Sequence, residues 1–400
     1  RWGRRQSPQP SWHHRAVSYS PTSRSDLINL VRQWHQDALP WSPSGLGTRL
    51  DWGPPLDPSH AVLSCRNLDR VIDHAVDDLT ITVEAGLPLQ ELQTLLAAQG
   101  QWLPVDWPKA GGEGSIGGLV ARGLSGGLRQ RHLGVRDQII GIGLLRSDGV
   151  EARAGGRVVK NVAGYDLMRL LCGSWGSLAL ITELTLRLQP IRPAQGALVL
   201  EGDLTKQEAF RADVLRSTLT PERCDWYGNG PGGWRMQVVI SSMSDQAVET
   251  QLNRLEALAQ THQLCAERHS CSDPLASPLA VHERPCWLVR LVLPPAQLHG
   301  LLSSSALIAL QGWTWELAAG AGCGDGWCLE PSPDHQVQAL RTTVDALGGQ
   351  LTLLRKPAGS QISSWINRPA KPVIEAVKRH FDPKLQLSRG RLPGVDQETA

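Results

Sequence analysis

The feature that most constrains this chain is the glycine-rich stretch at residues 109–134, "KAGGEGSIGGLVARGLSGGLRQRHLG". Nine of its 26 residues are glycine, against 40 glycines in the whole 400-residue chain. Glycine has no Cβ and adopts positive φ, so its backbone N–H group can approach a ligand oxygen closely. Successive N–H groups in such turns form anion-binding nests. The stretch therefore predicts either a loop wrapped around an anionic ligand or a set of tight turns between strands.

A second bare loop, "SPSGLGTRL", lies upstream at residues 42–50. Two separated loops rich in N–H groups suit a long, doubly charged cofactor such as a dinucleotide. The residues that we expect to hold its diphosphate are Gly45, Gly47 and Thr48 in this loop, and Gly114, Ser115, Gly117 and Gly118 in the glycine-rich stretch.

The segment at residues 112–117 formally matches the motif GxGxxG. A Rossmann turn follows a strand, however, and here the preceding "LPVDWPKAGG" contains two prolines and no apolar run. Asp137 lies 20 positions after Gly117, but at the entrance of an expected strand. A nicotinamide-binding Rossmann site is therefore disfavoured, and the absence of a following Gly-Lys-Ser/Thr excludes a Walker loop.

The composition excludes several other classes of protein. Lys and Arg number 40 and Asp and Glu 38, which argues against a general binder of nucleic acid or of anionic membranes. The longest apolar runs, such as "SLALITELTL", are too short for a transmembrane segment. The eight cysteines include no CxxC and no zinc spacing, so we expect reduced thiols and no metal or iron–sulfur site on this chain.

The N-terminus is rich in Arg and Ser and contains no acidic residue before Asp26. Such a composition is a weak transit-peptide signal. We expect residues 1–16 to be a disordered leader, the protein to be cytoplasmic, and any membrane association to be made through its partners.

Hydrophobic periodicity predicts the main elements. In the first half it predicts helices at 25–36 and 88–100 and strands at 61–65, 79–86, 138–156 (two strands about "SDG") and 177–190. After a linker at 191–196, it predicts strands in "ALVLEG", "RMQVVISS", "CWLVRLVLP", "TWELA" and "QLTLLR", and helices at 206–217, 245–260, 295–309, 333–347 and 372–383.

Five motifs recur in order: "SGLGT", a strand pair ending in "ITVEAG", "GEGSIGGLVARGLSGG", "HLGVRDQIIGIGLLRSDG", and "GGRVVKNVAGYDLMRLLCGSWGSLALITELTLRLQP". This set resembles the FAD-linked oxidases of the vanillyl-alcohol-oxidase/para-cresol-methylhydroxylase (PCMH) type. "KNVAGYDLMRLLCGSWG" is most similar to the FAD-binding E subunits of glycolate oxidase (glycolate dehydrogenase). The C-terminal "HFDPKLQLSRGRLPG" resembles the closing segment of the family, with Ser388 and Arg389 where Asn-Pro is usual.

The resemblance implies an α+β fold with FAD as the cofactor. It implies a PCMH-type FAD-binding domain of two α+β subdomains at 17–190, a smaller α/β cap domain at 191–370, and a segment at 371–400 that returns to the FAD domain. Because "SPSGLGT" lacks the His that sometimes links FAD covalently, we expect non-covalent FAD.

The resemblance also assigns the FAD contacts to several turns. Lys160 has an alternative role in packing a Gly-Tyr turn, and Arg136 and Lys160 are hypothesised to tune or anchor the flavin by their charge. The expected contact residues are Ser44, Gly45, Leu46, Gly47, Thr48, Gly114, Ser115, Ile116, Gly117, Gly118, Ser125, Gly126, Gly134, Val135, Arg136, Asp137, Lys160 and Ile181.

Oxidation of a small 2-hydroxy acid needs a cation for the carboxylate and a base for the hydroxyl proton. Related catalytic subunits carry a cap motif Gly-Asp-Gly-Asn-x-His, whereas this chain has "GCGDGWCL", with Trp327 for Asn and Leu329 for His. We therefore expect an FAD subunit that works beside a catalytic flavoprotein and an iron–sulfur subunit. A self-sufficient 2-hydroxy-acid dehydrogenase and a non-redox scaffold remain as alternatives, and no catalytic residue is assigned.

Overall fold

The computed structural model describes residues 17–106, 113–156, 166–230, 233–270 and 284–397. Its N-terminal half contains the following elements. The strands are β1 (Ser18–Tyr19), β2 (Trp41–Ser44), β3 (Ala61–Ser64), β4 (Val71–Ala75), β5 (Thr80–Glu84), β6 (Gln101–Trp102), β7 (Ile139–Leu145), β8 (Glu151–Gly155), β9 (Leu180–Arg187) and β10 (Gln189–Pro190). The helices are α1 (Arg24–Gln36), α2 (Leu89–Ala97), α3 (Ile116–Arg122), α4 (Arg129–His132), α5 (Val135–Gln138) and α6 (Met168–Leu171).

These elements form two α+β units, as the resemblance implied. A parallel sheet of order β1-β3-β2 packs against α1, whose N-terminus is capped by Ser23 Oγ, which accepts a hydrogen bond from the Asp26 N–H at 3.1 Å. An antiparallel sheet of order β4-β5-β9-β7-β8 buries its apolar side chains against α2 and α3. The α+β fold class is confirmed.

The C-terminal half contains a further set of elements. The strands are β11 (Ala194–Glu201), β12 (Pro221–Gly228), β13 (Arg235–Ser242), β14 (Cys265–His269), β15 (Trp287–Val292), β16 (Thr314–Ala318), β17 (Cys323–Cys328) and β18 (Gln350–Arg355). The helices are α7 (Leu204–Arg216), α8 (Asp245–Thr261), α9 (Leu298–Leu302), α10 (Ser305–Ile308), α11 (Asp334–Ala346) and α12 (Lys371–Phe381).

The strands of this half form one eight-stranded antiparallel sheet of order β14-β11-β13-β12-β16-β17-β15-β18. Because side chains alternate along a strand, the two faces of this sheet differ. On β12, Cys224 and Trp226 belong to the apolar core shared with the helices α7 to α11. Arg223 and Asp225 point to the opposite face, where Arg223 reaches Asp106 of the N-terminal half. The sheet therefore presents charged side chains to the N-terminal half.

Two predicted elements differ from those observed. The single helix expected at 295–309 is a short 3₁₀ turn followed by α9 and α10, because Ser304 Oγ accepts from the Leu307 N–H at 3.3 Å and starts a new helix. The strand expected at 177–190 is divided into β9 and β10, and β10 leaves the sheet to pair with β6. Sequence periodicity did not predict β12, β14 and β17.

The chain after β18 runs back along the N-terminal half. The Trp41 N–H donates to Gln386 O at 2.8 Å, and the Ser388 N–H donates to Trp41 O at 2.9 Å. Lys378 Nζ on α12 donates to Ser177 O at 2.7 Å and to Asp382 Oδ2 at 2.6 Å. These contacts join the final segment to β2 and to the chain just before β9. No helix within the described ranges is both long and apolar enough to cross a membrane.

Candidate functional site

A cleft of about 390 Å³ lies where the loops after β2 and β3 face the start of α3 and the start of β9. Its lining comes mainly from residues of the segments 43–50, 113–122 and 175–181. The two glycine loops that the sequence singled out, separated by about 65 residues of chain, thus form opposite walls of one cleft.

The first wall is the loop that continues from the end of β2. Ser64 Oγ donates to Gly45 O at 2.7 Å, and Arg66 Nη2 donates to Leu46 O at 2.9 Å, so two side chains that do not line the cleft bind the carbonyl groups of this loop. Among the described residues, the backbone N–H groups of residues 45–48 donate to no protein acceptor. The loop therefore offers N–H donors to a ligand.

The second wall is the turn into α3, which closely approaches the first. A Cβ on Gly45 would overlap Ser115 Oγ, and a Cβ on Gly117 would lie 2.7 Å from the Cβ of Ala85. Cβ atoms essentially never make contacts this short, so a side chain at position 45 would force Ser115 to shift, and one at position 117 would force the turn away from Ala85.

The N–H groups of the second wall are used differently from those of the first. The Gly117 N–H donates to Ala85 O at 2.8 Å, and the Gly118 N–H donates to Ser115 Oγ at 3.1 Å. These two glycines therefore present a bare backbone surface to the cleft, while their donors stabilise the turn.

The cleft also contains charged and aromatic residues that the sequence reasoning missed. Arg49 and Arg122 line it, and the Arg122 guanidinium carbon lies 3.8 Å from the ring centroid of Trp175. Burial lowers the pKa of Arg49 to about 10. Burial, together with repulsion from Arg391 and Arg49, lowers the pKa of Arg122 well below its usual value. The available sequence signal was the position of Arg49 inside the loop at residues 42–50, directly after Thr48.

The other expected contact residues lie in three places. Thr48, Gly114 and Ile181 line the cleft, and so do the remaining expected residues of the two loops except Ile116, which is fully buried in the core. The expected residues at α5, 134–137, lie outside the cleft. The Gly134 N–H donates to the side chain of Asp137 at 2.9 Å, and Val135 is buried. Arg136 is exposed there, and Lys160 lies outside the described residues.

Ser125 and Gly126 line a second, smaller cavity of about 50 Å³ between the N-terminal half and the charged face of the eight-stranded sheet. Arg223 in its wall forms ion pairs with Asp225 at 2.7 Å and with Asp106 and Glu316 at 3.2 Å each. In the same wall, Arg290 forms an ion pair with Asp325 at 3.0 Å. Four carboxylates thus face two guanidinium groups.

These ion pairs and the burial around them change the pKa values of the wall. Burial raises the pKa of Asp225 from 3.8 to about 6, although Arg223 opposes the change. Burial would lower the pKa of Arg223, but Asp225, Asp106 and Glu316 raise it above its usual value. Arg223 is therefore firmly charged and is neutralised by side chains of this chain.

The segment "GCGDGWCL" forms β17 and contributes to this second cavity. Asp325 forms the ion pair with Arg290, Trp327 is buried, and Leu329 is more than half exposed to solvent. In the described part of the chain, no group of three or more His, Cys, Asp or Glu side chains is arranged to hold a metal ion.

The larger cleft has the properties that a flavin dinucleotide requires. It combines N–H donors at the first loop, a bare backbone surface at the second, and buried positive charge from Arg49 and Arg122 beside both. Diphosphates bind to such combinations of N–H groups and cations.

Comparisons with known proteins agree with this geometry. Residues 16–155 match the protein family described as the FAD binding domain. The chain is 35% identical over 195 residues to the glycolate oxidase subunit GlcE of Escherichia coli (strain K12), which covers 49% of this chain and 54% of that protein. It is 34% identical over 219 residues to D-2-hydroxyglutarate dehydrogenase of Xanthomonas citri pv. viticola, covering 53% of this chain and 45% of that protein. The chain spans about half the length of these curated relatives.

A solved structure of alkyldihydroxyacetonephosphate synthase superposes with a TM-score of 0.67 at 14% identity, covering 92% of this chain and 76% of that chain. This similarity shows a shared fold. The match of residues 16–155 shows that the chain contains an FAD binding domain, with FAD as its cofactor.

Proposed function

We propose that the chain is the FAD-binding subunit of a glycolate oxidase (dehydrogenase) complex. In this proposal it acts with a catalytic flavoprotein and an iron–sulfur subunit, in the cytoplasm, to oxidise glycolate to glyoxylate. The relative named glycolate oxidase subunit GlcE supports this role, and the relative named D-2-hydroxyglutarate dehydrogenase supports the wider class of 2-hydroxy-acid substrates.

The larger cleft would hold FAD through the loop at residues 45–48, the bare surface at Gly117 and Gly118, and Ile181 at the start of β9. When bound, FAD supplies the hydride acceptor for oxidation of a 2-hydroxy acid. We propose that it is held non-covalently. No histidine is among the described residues that line the cleft, and burial raises the pKa of the Cys65 thiol in its wall to about 12, so this thiol stays protonated.

The observation that carries the subunit role is the charge of the second cavity. An anionic 2-hydroxy acid needs a cation that is available to its carboxylate. Arg223 is engaged by three carboxylates and Arg290 by Asp325, so the cavity wall has two more negative than positive groups. Its volume of about 50 Å³ leaves room for little more than water. We infer that this chain does not bind the substrate there and that its partner supplies the substrate site.

The experiment that tests this function is an anaerobic absorbance spectrum of the FAD-loaded chain before and after glycolate is added. We expect the flavin to stay oxidised with the chain alone and to bleach when the catalytic partner is also present. Bleaching of the isolated chain by glycolate would refute the subunit role.

The similarity to D-2-hydroxyglutarate dehydrogenase favours a second candidate, a self-sufficient 2-hydroxy-acid dehydrogenase. The same spectrum, recorded with D-2-hydroxyglutarate and D-lactate, separates the two functions. Bleaching by either acid without a partner would support the second candidate.

A further inference from the structure

Arg49 occupies a particular position between the two walls of the larger cleft. It lies in the loop at residues 42–50, directly after Thr48, and its Nη1 donates to Thr48 Oγ1 at 3.3 Å. A Cβ on Gly114 would overlap Arg49 Nη1, so the guanidinium group lies directly over the bare backbone of the second loop. One cation thus touches both glycine loops.

The neighbouring residues fix this position. The guanidinium carbon of Arg49 lies 5.2 Å from the ring centroid of Trp52, which is fully buried. Arg122 Nη2 donates to the carbonyl oxygen of Arg49 at 2.8 Å, while its guanidinium group stacks on Trp175. Arg122 therefore holds the backbone of Arg49, and Trp52 supports its side chain.

The local charge is strongly positive. Arg391 from the final segment lies 5.9 Å from the Trp175 ring centroid and donates to Trp52 O, which brings a third guanidinium group to the cluster. Asp51 is the carboxylate that acts on all three arginines, and it also forms ion pairs with Arg355 at 3.1 Å and Arg284 at 3.5 Å. Repulsion among these cations is relieved by an anion bound in the cleft.

We propose that Arg49 binds the diphosphate of FAD between the two glycine loops, with Arg122 as the residue that positions it. The diphosphate would receive the charge of Arg49 together with the N–H groups of residues 45–48. Paired charge and N–H donation of this kind is the strongest form of hydrogen bonding to a phosphate. Glycine at position 114 leaves room for the Arg49 guanidinium group, which a side chain there would displace.

The test compares FAD with riboflavin, which carries the same ring system without phosphates. Arg49→Gln removes the charge but keeps a side chain of similar length. Arg216→Gln is the matched control, because Arg216 is an exposed arginine on α7, in the C-terminal half, and does not line the cleft. Dissociation constants of the full-length protein are measured by flavin fluorescence, with competition by ADP, adenosine and inorganic pyrophosphate.

We expect Arg49→Gln to raise the Kd for FAD by about 10- to 100-fold, the loss typical of one charge-assisted bond, and to leave the Kd for riboflavin unchanged. ADP should lose its advantage over adenosine, and Arg49→Lys should restore part of the affinity. Pyrophosphate should compete with FAD for the wild type and compete less for Arg49→Gln. That result would identify the phosphates, rather than the rest of the dinucleotide, as the group that Arg49 binds.

Two results would overturn the proposal. One is an Arg49→Gln variant that binds FAD as tightly as the Arg216→Gln control. The other is an equal loss of FAD and riboflavin affinity, which would mean that Arg49 only shapes the cleft. A melting temperature of the flavin-free variants close to that of the wild type shows that the fold is intact, and Arg49→Lys provides the comparison if Arg49→Gln does not fold.

Discussion

Replacement of Asp225 by Asn is expected to change the pH dependence of stability. Asp225 is 1% exposed, and its pKa is raised from 3.8 to about 6. Below pH 3.8 the carboxyl is neutral in both the folded and the unfolded chain. As the pH rises from 3.8 to about 6, the unfolded chain loses its proton first, so the wild type loses stability over this range.

The size of this effect follows from the two pKa values. One pKa unit corresponds to about 1.4 kcal/mol, so the difference between 3.8 and about 6 amounts to about 3 kcal/mol in total. About 2 kcal/mol of this total is lost from the stability of the wild type between pH 4.5 and 7.5. Asn cannot ionise, so the stability of the variant relative to the wild type should rise by this amount over the range.

The assay is urea unfolding followed by tryptophan fluorescence at several pH values, since the chain has 15 tryptophans. Glu91→Gln, which removes an exposed carboxylate on α2, is the control. The difference between its free energy of unfolding and that of the wild type should stay nearly constant over this pH range. The reasoning would be refuted if the difference in the free energy of unfolding between Asp225→Asn and the wild type stayed constant from pH 4.5 to 7.5. That result would mean that the pKa of Asp225 is not raised in the folded protein.

Two other changes have effects that follow from contacts. Lys378→Met leaves the fully buried Asp382 without its cation, so urea unfolding should show a loss of about 3–5 kcal/mol, largely regained by adding Asp382→Leu. Gly45→Ala forces the side chain of Ser115 to move, so the Kd for FAD in a fluorescence titration should rise about tenfold or more. Gly300→Ala, whose Cβ would meet no atom within 4 Å, should leave FAD binding unchanged.

Much of the fold could be predicted because its signals are local. The helix at α1 has a capping serine and apolar residues at helical spacing, and the turn between β7 and β8 contains "SDG". Strands such as β12 could not be predicted. Its residues "PERCDWYG" contain charged side chains, and besides Asp225 in the same strand the partners of Arg223 are Asp106 and Glu316, which lie far along the chain.

The candidate site was likewise predicted only in part from the sequence. The expected residues Gly45, Gly47 and Gly114 line the cleft, and the N–H groups of residues 45–48 donate to no acceptor among the described residues. The use of the Gly117 and Gly118 N–H groups inside the turn depends on Ala85 and Ser115, so the sequence could not reveal it. The FAD contacts assigned to the turns at 125–126 and 134–137 and to Lys160 stay predictions.

The sequence by itself determined the two glycine loops and their order, because the conformational freedom of glycine is a property of each residue, and its resemblance to the FAD-linked oxidases indicated the cofactor. The tertiary structure alone decided that Arg49 lies over Gly114 and that Arg223 is neutralised by Asp106, Asp225 and Glu316. Charge and burial depend on which distant segments meet, and the chain brings these segments together only when both halves are folded.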